Sequence, residues 1–135
     1  MLLKEVDPLK SSRLKLSIHV SVTTRAAILG LTGRICFKHE AALFSIIAQQ
    51  FLKIGKHLIV ELSGIEMIDS AGIGELVLLH MLARAAGCEV RIVSPAKHVR
   101  QLLELTNVAM LFETCSSVDA ALTSLPPKWS KLLVC

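Results

Sequence analysis

Apolar and polar residues alternate without a break from Leu14 to Val22: Leu14, Leu16, Ile18, Val20 and Val22 fall on one side, and Lys15, Ser17, His19 and Ser21 on the other. A period of two predicts a strand with one covered face. After Thr23-Thr24-Arg25 a second apolar run, Ala27 to Thr32, ends at Gly33, close enough to pair with the first as an antiparallel hairpin. The period then changes. Between His39 and Gly55, Leu43, Ile47, Phe51 and Ile54 recur at helical spacing, with Gly55 placed to end an amphipathic helix. Leu58-Ile59-Val60 is a continuous apolar run, the pattern of a central strand covered on both faces, and it continues through Glu61-Leu62-Ser63 to a predicted turn at Gly64.

The second half repeats the alternation of element types. Ile65 to Ile68 leads into Asp69-Ser70-Ala71-Gly72-Ile73-Gly74, then good helix formers run to Ala86, with Gly87 closing the helix. Glu89 to Val93 reads as a strand. Ser94-Pro95 opens a further helix, with Pro in its first turn, carrying Val99, Leu102, Leu103 and Leu105 and ended by Asn107. A last short strand is expected near Leu111-Phe112. Ser117 then caps a final helix that Pro126-Pro127 stops. Together these elements predict an α/β fold in one domain: a mixed β-sheet with an opening antiparallel hairpin, then parallel strands, flanked by about four helices. The expected boundaries are an N-terminal extension over 1–13, the domain over 14–125 and a C-terminal tail over 126–135.

Composition narrows the function. The chain has 135 residues, enough for one core, but 53% of them are apolar and the mean hydropathy is +0.60, so a membrane span has to be considered. A spanning helix needs about 20 consecutive apolar residues, and the richest stretch, Ala71 to Ala86, is interrupted by Glu75, His80 and Arg84. Lys4, Glu5, Asp7 and Pro8 break the apolar run that a signal peptide requires. A cytoplasmic protein without membrane insertion is expected. Cys36, Cys88, Cys115 and Cys135 show no paired spacing, and His19, His39, His57, His80 and His98 include no i, i+4 pair, so neither a metal nor another cofactor is expected. The net charge of +4 comes largely from the two ends, and with no Tyr, four Phe and one Trp the chain lacks the basic and aromatic interleaving of a nucleic-acid surface.

The Asp69-Ser70 segment carries the chemistry. It stands where a strand-like run turns into a helix, and a helix start has unpaired N–H groups and a partial positive charge that stabilise an anion. Ser70 could therefore hold a phosphate. The glycines at 72 and 74 remove side chains and would let another protein approach the hydroxyl. A plainer alternative is that Asp69 or Ser70 merely caps the helix. Along that helix Ile73, Leu76, Val77, Leu78, Leu79, Met81 and Leu82 fall on almost every side. Either neighbouring helices cover them, or Leu78 and Leu82 belong to a docking or self-association patch, which leaves room for a weak homodimer.

The stretch from Leu58 to Gly74, centred on Asp69-Ser70-Ala71-Gly72-Ile73-Gly74, resembles the central signature of STAS domains. The likeness runs from about Leu14 to Leu125 and takes in a Gly33-Arg34-Ile35 turn and the Phe112 to Leu122 ending. In the bacterial anti-sigma factor antagonist branch the resemblance implies a switch without catalytic residues of its own. The unmodified domain binds an ATP-dependent anti-sigma factor serine kinase, phosphorylation of Ser70 releases it, and a serine phosphatase resets the protein. The same resemblance implies a partner-binding surface of Asp69, Ser70, Ala71, Gly72, Ile73, Gly74, Arg34 and Cys36. Cys36 and Glu61 stand where that branch usually has aspartates. The alternative is an unphosphorylated STAS subunit of a bacterial phospholipid ABC transporter. A Ser70 nucleophile is disfavoured, because His80 lies nearly three helical turns on.

Overall fold

The structure, a computed structural model, describes residues 14–126. The expected N-terminal extension and all but Pro126 of the expected tail lie outside the described residues. Strands β1 (Leu16–Val22), β2 (Ala26–Ile35), β3 (His57–Ile68), β4 (Val90–Val93) and β5 (Glu113–Cys115) form one sheet in sequential order. Between and after them come helices α1 (Phe37–Lys53), α2 (Ser70–Ala85), α3 (Lys97–Leu105) and α4 (Val118–Ser124). β1 and β2 are antiparallel, with Leu16 opposite Gly33, and the remaining pairs are parallel. This is the mixed α/β sheet that the residue pattern predicts.

The crossovers step one strand at a time in one direction, so the right-handed rule for such connections predicts α1, α2 and α3 on the same face, and they share one core. Their Phe44, Leu76, Leu79, Val99 and Leu103 join Leu29, Leu31, Leu58, Val60 and Leu62 of the strands in the main core. The opposite face is thinner: Ala26, Ile59, Val93 and Cys115 pack with Ala121 of α4 and Leu125 behind it. Leu58, Ile59 and Val60 thus feed two cores in turn, which is why that run has no polar interruption. Arg25, in the β1–β2 turn, donates to the carbonyls of Leu122 at 2.9 Å and Leu125 at 3.2 Å, tying the hairpin to the end of the domain.

Several details depart from the sequence-based expectation. Helices cover β1 only at Leu16 and Ile18; Val20 and Val22 lie open on the edge strand. In α1 the fully buried face is Ala41, Phe44, Ala48 and Leu52, about one residue round from the expected stripe, and Ile54 is exposed. Small side chains face the sheet there, letting α1 lie close, so the larger Leu43 and Ile47 flank the contact. No turn forms at Gly64. β3 continues to Ile68, and a Cβ at Gly64 would come within 2.8 Å of the Leu31 carbonyl oxygen, close to a register shift between β2 and β3. β2 likewise runs past Gly33, whose φ of +109° only glycine adopts readily, to Ile35. Pro95 precedes the α3 cap residue Ala96, so it lies outside the helix, and Leu105 is exposed. A short 3-10 turn at Ala109–Leu111 delays the last strand to Glu113.

Candidate functional site

β2 and β3 lie side by side and each runs directly into a helix, so the starts of α1 and α2 meet beyond the ends of these strands. Cys36 is the cap residue of α1 and makes no side-chain cap bond. Asp69, the cap residue of α2, serves both helices: Oδ1 accepts from the Gly72 N–H at 3.1 Å, and Oδ2 accepts from the Phe37 N–H at 2.8 Å. One carboxylate therefore satisfies an orphan donor at each of two helix starts. Burial pushes its pKa up, but the N–H bonds from Phe37 and Gly72 outweigh it and hold the carboxyl below its ordinary value.

Ser70 is the first residue of α2 and is exposed. Asp69, not Ser70, is the cap. The two motif glycines differ. A Cβ at Gly74 would meet nothing within 4 Å, whereas one at Gly72 would lie 2.4 Å from the Ile35 carbonyl oxygen and 2.7 Å from Ile68 Cγ1. The expectation that both glycines clear the approach to Ser70 is thus corrected at Gly72, which seats α2 on the strand ends. Ala71 and Ile73 are half-buried and pack against the core.

Cys36, expected on the partner-binding surface, faces inward and is 2% exposed. Burial, then the carboxylates of Asp69 and Glu40, push its thiol pKa up. The turn explains this orientation: Cys36 is extended, and Phe37 follows with φ +59°, which carries the phenyl ring outward to 58% exposure. Arg34 lies across this turn, its guanidinium carbon 5.1 Å from the Phe37 ring centroid. Its Nε also donates to both Glu40 oxygens, at 3.0 and 2.9 Å. Glu40, only 1% exposed, accepts further bonds from the backbone N–H of Lys15 at 2.7 Å and Cys36 at 3.0 Å. Burial raises its pKa, yet the donors Lys15, Arg34 and Cys36 outweigh that and leave it lowered. The carboxylate so fastens the start of β1 and the end of β2 to α1.

Phe37 and Glu40 are the residues that sequence reasoning misses. A single acid in the first turn of α1, next to the core positions Ala41 and Phe44, is the only mark of Glu40. Phe37 has none, since an aromatic at a helix start reads as core.

A groove of about 610 Å³ opens beside Phe37, lined also by Leu14, Arg34, His39, Leu43 and Ile46, and a second cavity of about 430 Å³ lies between Lys15, Gly33, Arg34, Glu66 and Met67. Further along α2, Leu78, Met81 and Leu82 are exposed while Leu76, Leu79 and Ala83 are buried. Neighbouring helices therefore cover only one side of α2, and Leu78 and Leu82 lie on its open side. Glu61 is half-buried and accepts a hydrogen bond from the Ser63 hydroxyl. His80 packs edge-on against Phe112, with ring centroids 5.5 Å apart. Among the described residues no three or more His, Cys, Asp or Glu gather in a way that could hold a metal, and no helix is long and apolar enough to cross a membrane.

The sequential mixed sheet and the serine-bearing helix start beyond the end of its central strand define an α/β domain of STAS type. The chain belongs to the STAS domain family, whose family model matches residues 17–121. A candidate anti-sigma factor antagonist from Thermotoga maritima is similar, with a TM-score of 0.69 at 24% identity over 80% of this chain and 93% of that one. The Bacillus cell fate determinant SpoIIAA is similar in its unphosphorylated form, with a TM-score of 0.67 at 15% identity over 78% of this chain and 93% of that one. In its phosphorylated form the values are 0.62 and 13%, over 78% and 96%. The same fold forms part of the murine anion transporter Slc26a9, with a TM-score of 0.57 at 17% identity over 81% of this chain and 22% of that one. At these identities the likeness establishes the fold.

Proposed function

We propose that the chain is an anti-sigma factor antagonist that works as a phosphorylatable binding switch in the cytoplasm. Unmodified, its Ser70 surface binds an anti-sigma factor that is also an ATP-dependent serine kinase. The γ-phosphoryl group of ATP passes to Ser70 Oγ, ADP leaves, the hydroxyl proton is lost to a base or to water, and the complex separates. A serine phosphatase returns the hydroxyl.

The observation that carries this reading is the exposure of Ser70 in the first turn of α2, beside the cap residue Asp69. A phosphoserine bears about −1.5 to −2 charges at neutral pH. Within its own domain the helix start tolerates that charge. Across an interface the same group repels acidic side chains and resists desolvation, so one modification leaves the fold intact and breaks the complex. The similarity to SpoIIAA, whose fold is retained with and without phosphate, supports the reading. Mass spectrometry after incubation with ATP and the cognate kinase tests it: one phosphate is gained by the native chain and none by Ser70→Ala. No gain in the native chain, or an unchanged gain in Ser70→Ala, refutes it.

The exposed Leu78, Met81 and Leu82 favour a second reading, a constitutive subunit docked on the ATPase of a phospholipid transporter. Co-purification with that ATPase, retained by Ser70→Glu, would select it over the switch.

A further inference from the structure

The two edges of the sheet are built differently. β5 is three residues long and carries the exposed Glu113, and both features deter pairing with another chain. β1 has neither protection. It runs for seven residues with no proline, no lysine, no arginine and no carboxylate, and it pairs with β2 in unbroken register. Among the described residues no other strand lies on its outer side.

The hydrogen-bond pattern fixes what that edge offers. The Lys15 carbonyl accepts from the Arg34 N–H at 2.7 Å, and the Thr23 N–H donates to the Ala26 carbonyl at 2.8 Å. Antiparallel bonding alternates, so Ser17, His19 and Ser21 between them also bond to β2. Leu16, Ile18, Val20 and Val22 therefore turn their N–H and C=O groups outward, a row that an extended segment completes. The side chains of these four residues share the face that α1 covers, but Val20 is left 38% and Val22 53% exposed.

This edge is complementary to itself. Set antiparallel to a second β1 about a two-fold axis through His19, Leu16 meets Val22 of the second copy and Ile18 meets its Val20. Both pairs join residues whose backbone groups point outward, so the ladder closes. The open valines come to lie beside leucine and isoleucine on one face, and Ser17 meets Ser21 on the other. Of the two-fold registers that keep outward groups together, this one alone uses every residue of β1. His19 then faces its own copy in a non-hydrogen-bonded pair, the closer kind, with Cα atoms about 4.5 Å apart. Within the chain the residue opposite His19 is Gly30, which has no side chain, so the side chain directly across from His19 belongs to the second copy.

We propose that the chain forms a two-fold dimer through β1, with His19 on the axis, joining two five-stranded sheets into one continuous sheet. Ser70 stands beyond the end of β3, two strands in from this edge, so each dimer carries two Ser70 surfaces and the inference does not depend on the switch reading.

Sedimentation equilibrium of the full chain provides the test. The mass of the native protein is expected to rise with concentration from 14.7 kDa toward twice that value. His19→Glu and His19→Lys, at an exposed position, each place like charges on the axis and are expected to raise the dimer Kd at least about 10-fold. An equimolar mixture of the two variants should recover the native mass, because the charges are then opposite. Val20→Pro removes an outward N–H and no bond to β2, and should weaken the dimer with the circular dichroism unchanged. Amide exchange at Ile18 and Val20 should slow as the dimer forms. A native chain that stays at 14.7 kDa through the micromolar range overturns the proposal, and slow exchange at Ile18 and Val20 in that monomer would place another segment of the chain on the edge. A dimer that survives both His19 variants is built on another surface, such as Leu78 and Met81, and also overturns it. A mixture that stays monomeric overturns the axis through His19. Phosphate uptake at Ser70 is read separately and decides the switch alone.

Discussion

Replacing Gly72 with alanine would place a methyl carbon 2.4 Å from the Ile35 carbonyl oxygen and 2.7 Å from Ile68 Cγ1. Ordinary contact begins at 3.4 Å, so the carbonyl would have to retreat by about 1 Å. That oxygen is part of the β2 backbone and cannot rotate aside as a side chain would. It also accepts the Asp69 N–H at 3.4 Å, so the retreat would strain the joint on which the cap depends. Overpacking of this kind costs about 1–3 kcal/mol, and the better helix propensity of alanine returns about 1 kcal/mol. A net loss of about 0–2 kcal/mol, centred near 1, is expected. Gly74→Ala is the internal control: with nothing within 4 Å, only the propensity gain of about 0.5–1 kcal/mol remains. Urea titration followed by far-ultraviolet circular dichroism measures both. At a slope of about 1–2 kcal/mol/M the midpoint should fall by roughly 0.5–1 M for Gly72→Ala and rise by roughly 0.5 M for Gly74→Ala, with the slope unchanged. A midpoint for Gly72→Ala at or above the native value would refute the packing argument.

Glu40→Gln keeps the side-chain size but turns an amide NH₂ toward N–H donors, and is expected to cost about 1.5–3 kcal/mol in the same titration; a smaller loss would mean that Arg34 and the amides find water instead. Folded Glu40 and Asp69 both have lowered pKa values. The stability they contribute is therefore full above the unfolded values of about 4 and is lost as pH falls through the lower folded values. Stability of the native chain should drop on acidification through that window, and Glu40→Gln should flatten the drop; a flat native profile contradicts this. Met81→Lys and Leu82→Glu lie on the open side of α2 and should change stability by no more than about 0.5 kcal/mol, while abolishing co-purification of a transporter ATPase if that partner is the real one.

The fold class was legible because the two periods rarely overlap: Leu14 to Val22 alternates strictly, whereas α1 and α3 carry helical spacing that ends at Gly55 and Asn107. What misled was size and glycine. Ala41 and Ala48 face the sheet because α1 lies close to it, so the larger Leu43 and Ile47 mark the wrong phase. Gly64 and Gly72 are glycines for close approach, and a sequence marks these no differently from glycines that turn or open a chain. At the site, the cap and the helix start were readable from Asp69-Ser70, because capping depends on neighbours in sequence. The inward Cys36 and outward Phe37 were not, because a left-handed conformation at a phenylalanine is imposed by an acceptor 32 residues away.

Strands adjacent in the chain are adjacent in the sheet, so a growing polypeptide can add each one to a partner already in place. Arg25 is the exception, since its acceptors Leu122 and Leu125 lie 97 and 100 residues further along the chain. A nascent domain halted just before α4 would already possess the Ser70 surface, yet its second face, with Ala26, Ile59 and Val93, would be bare. On the ribosome the Ser70 surface can thus be complete before the domain is closed, and that uncovered face is what a chaperone would meet.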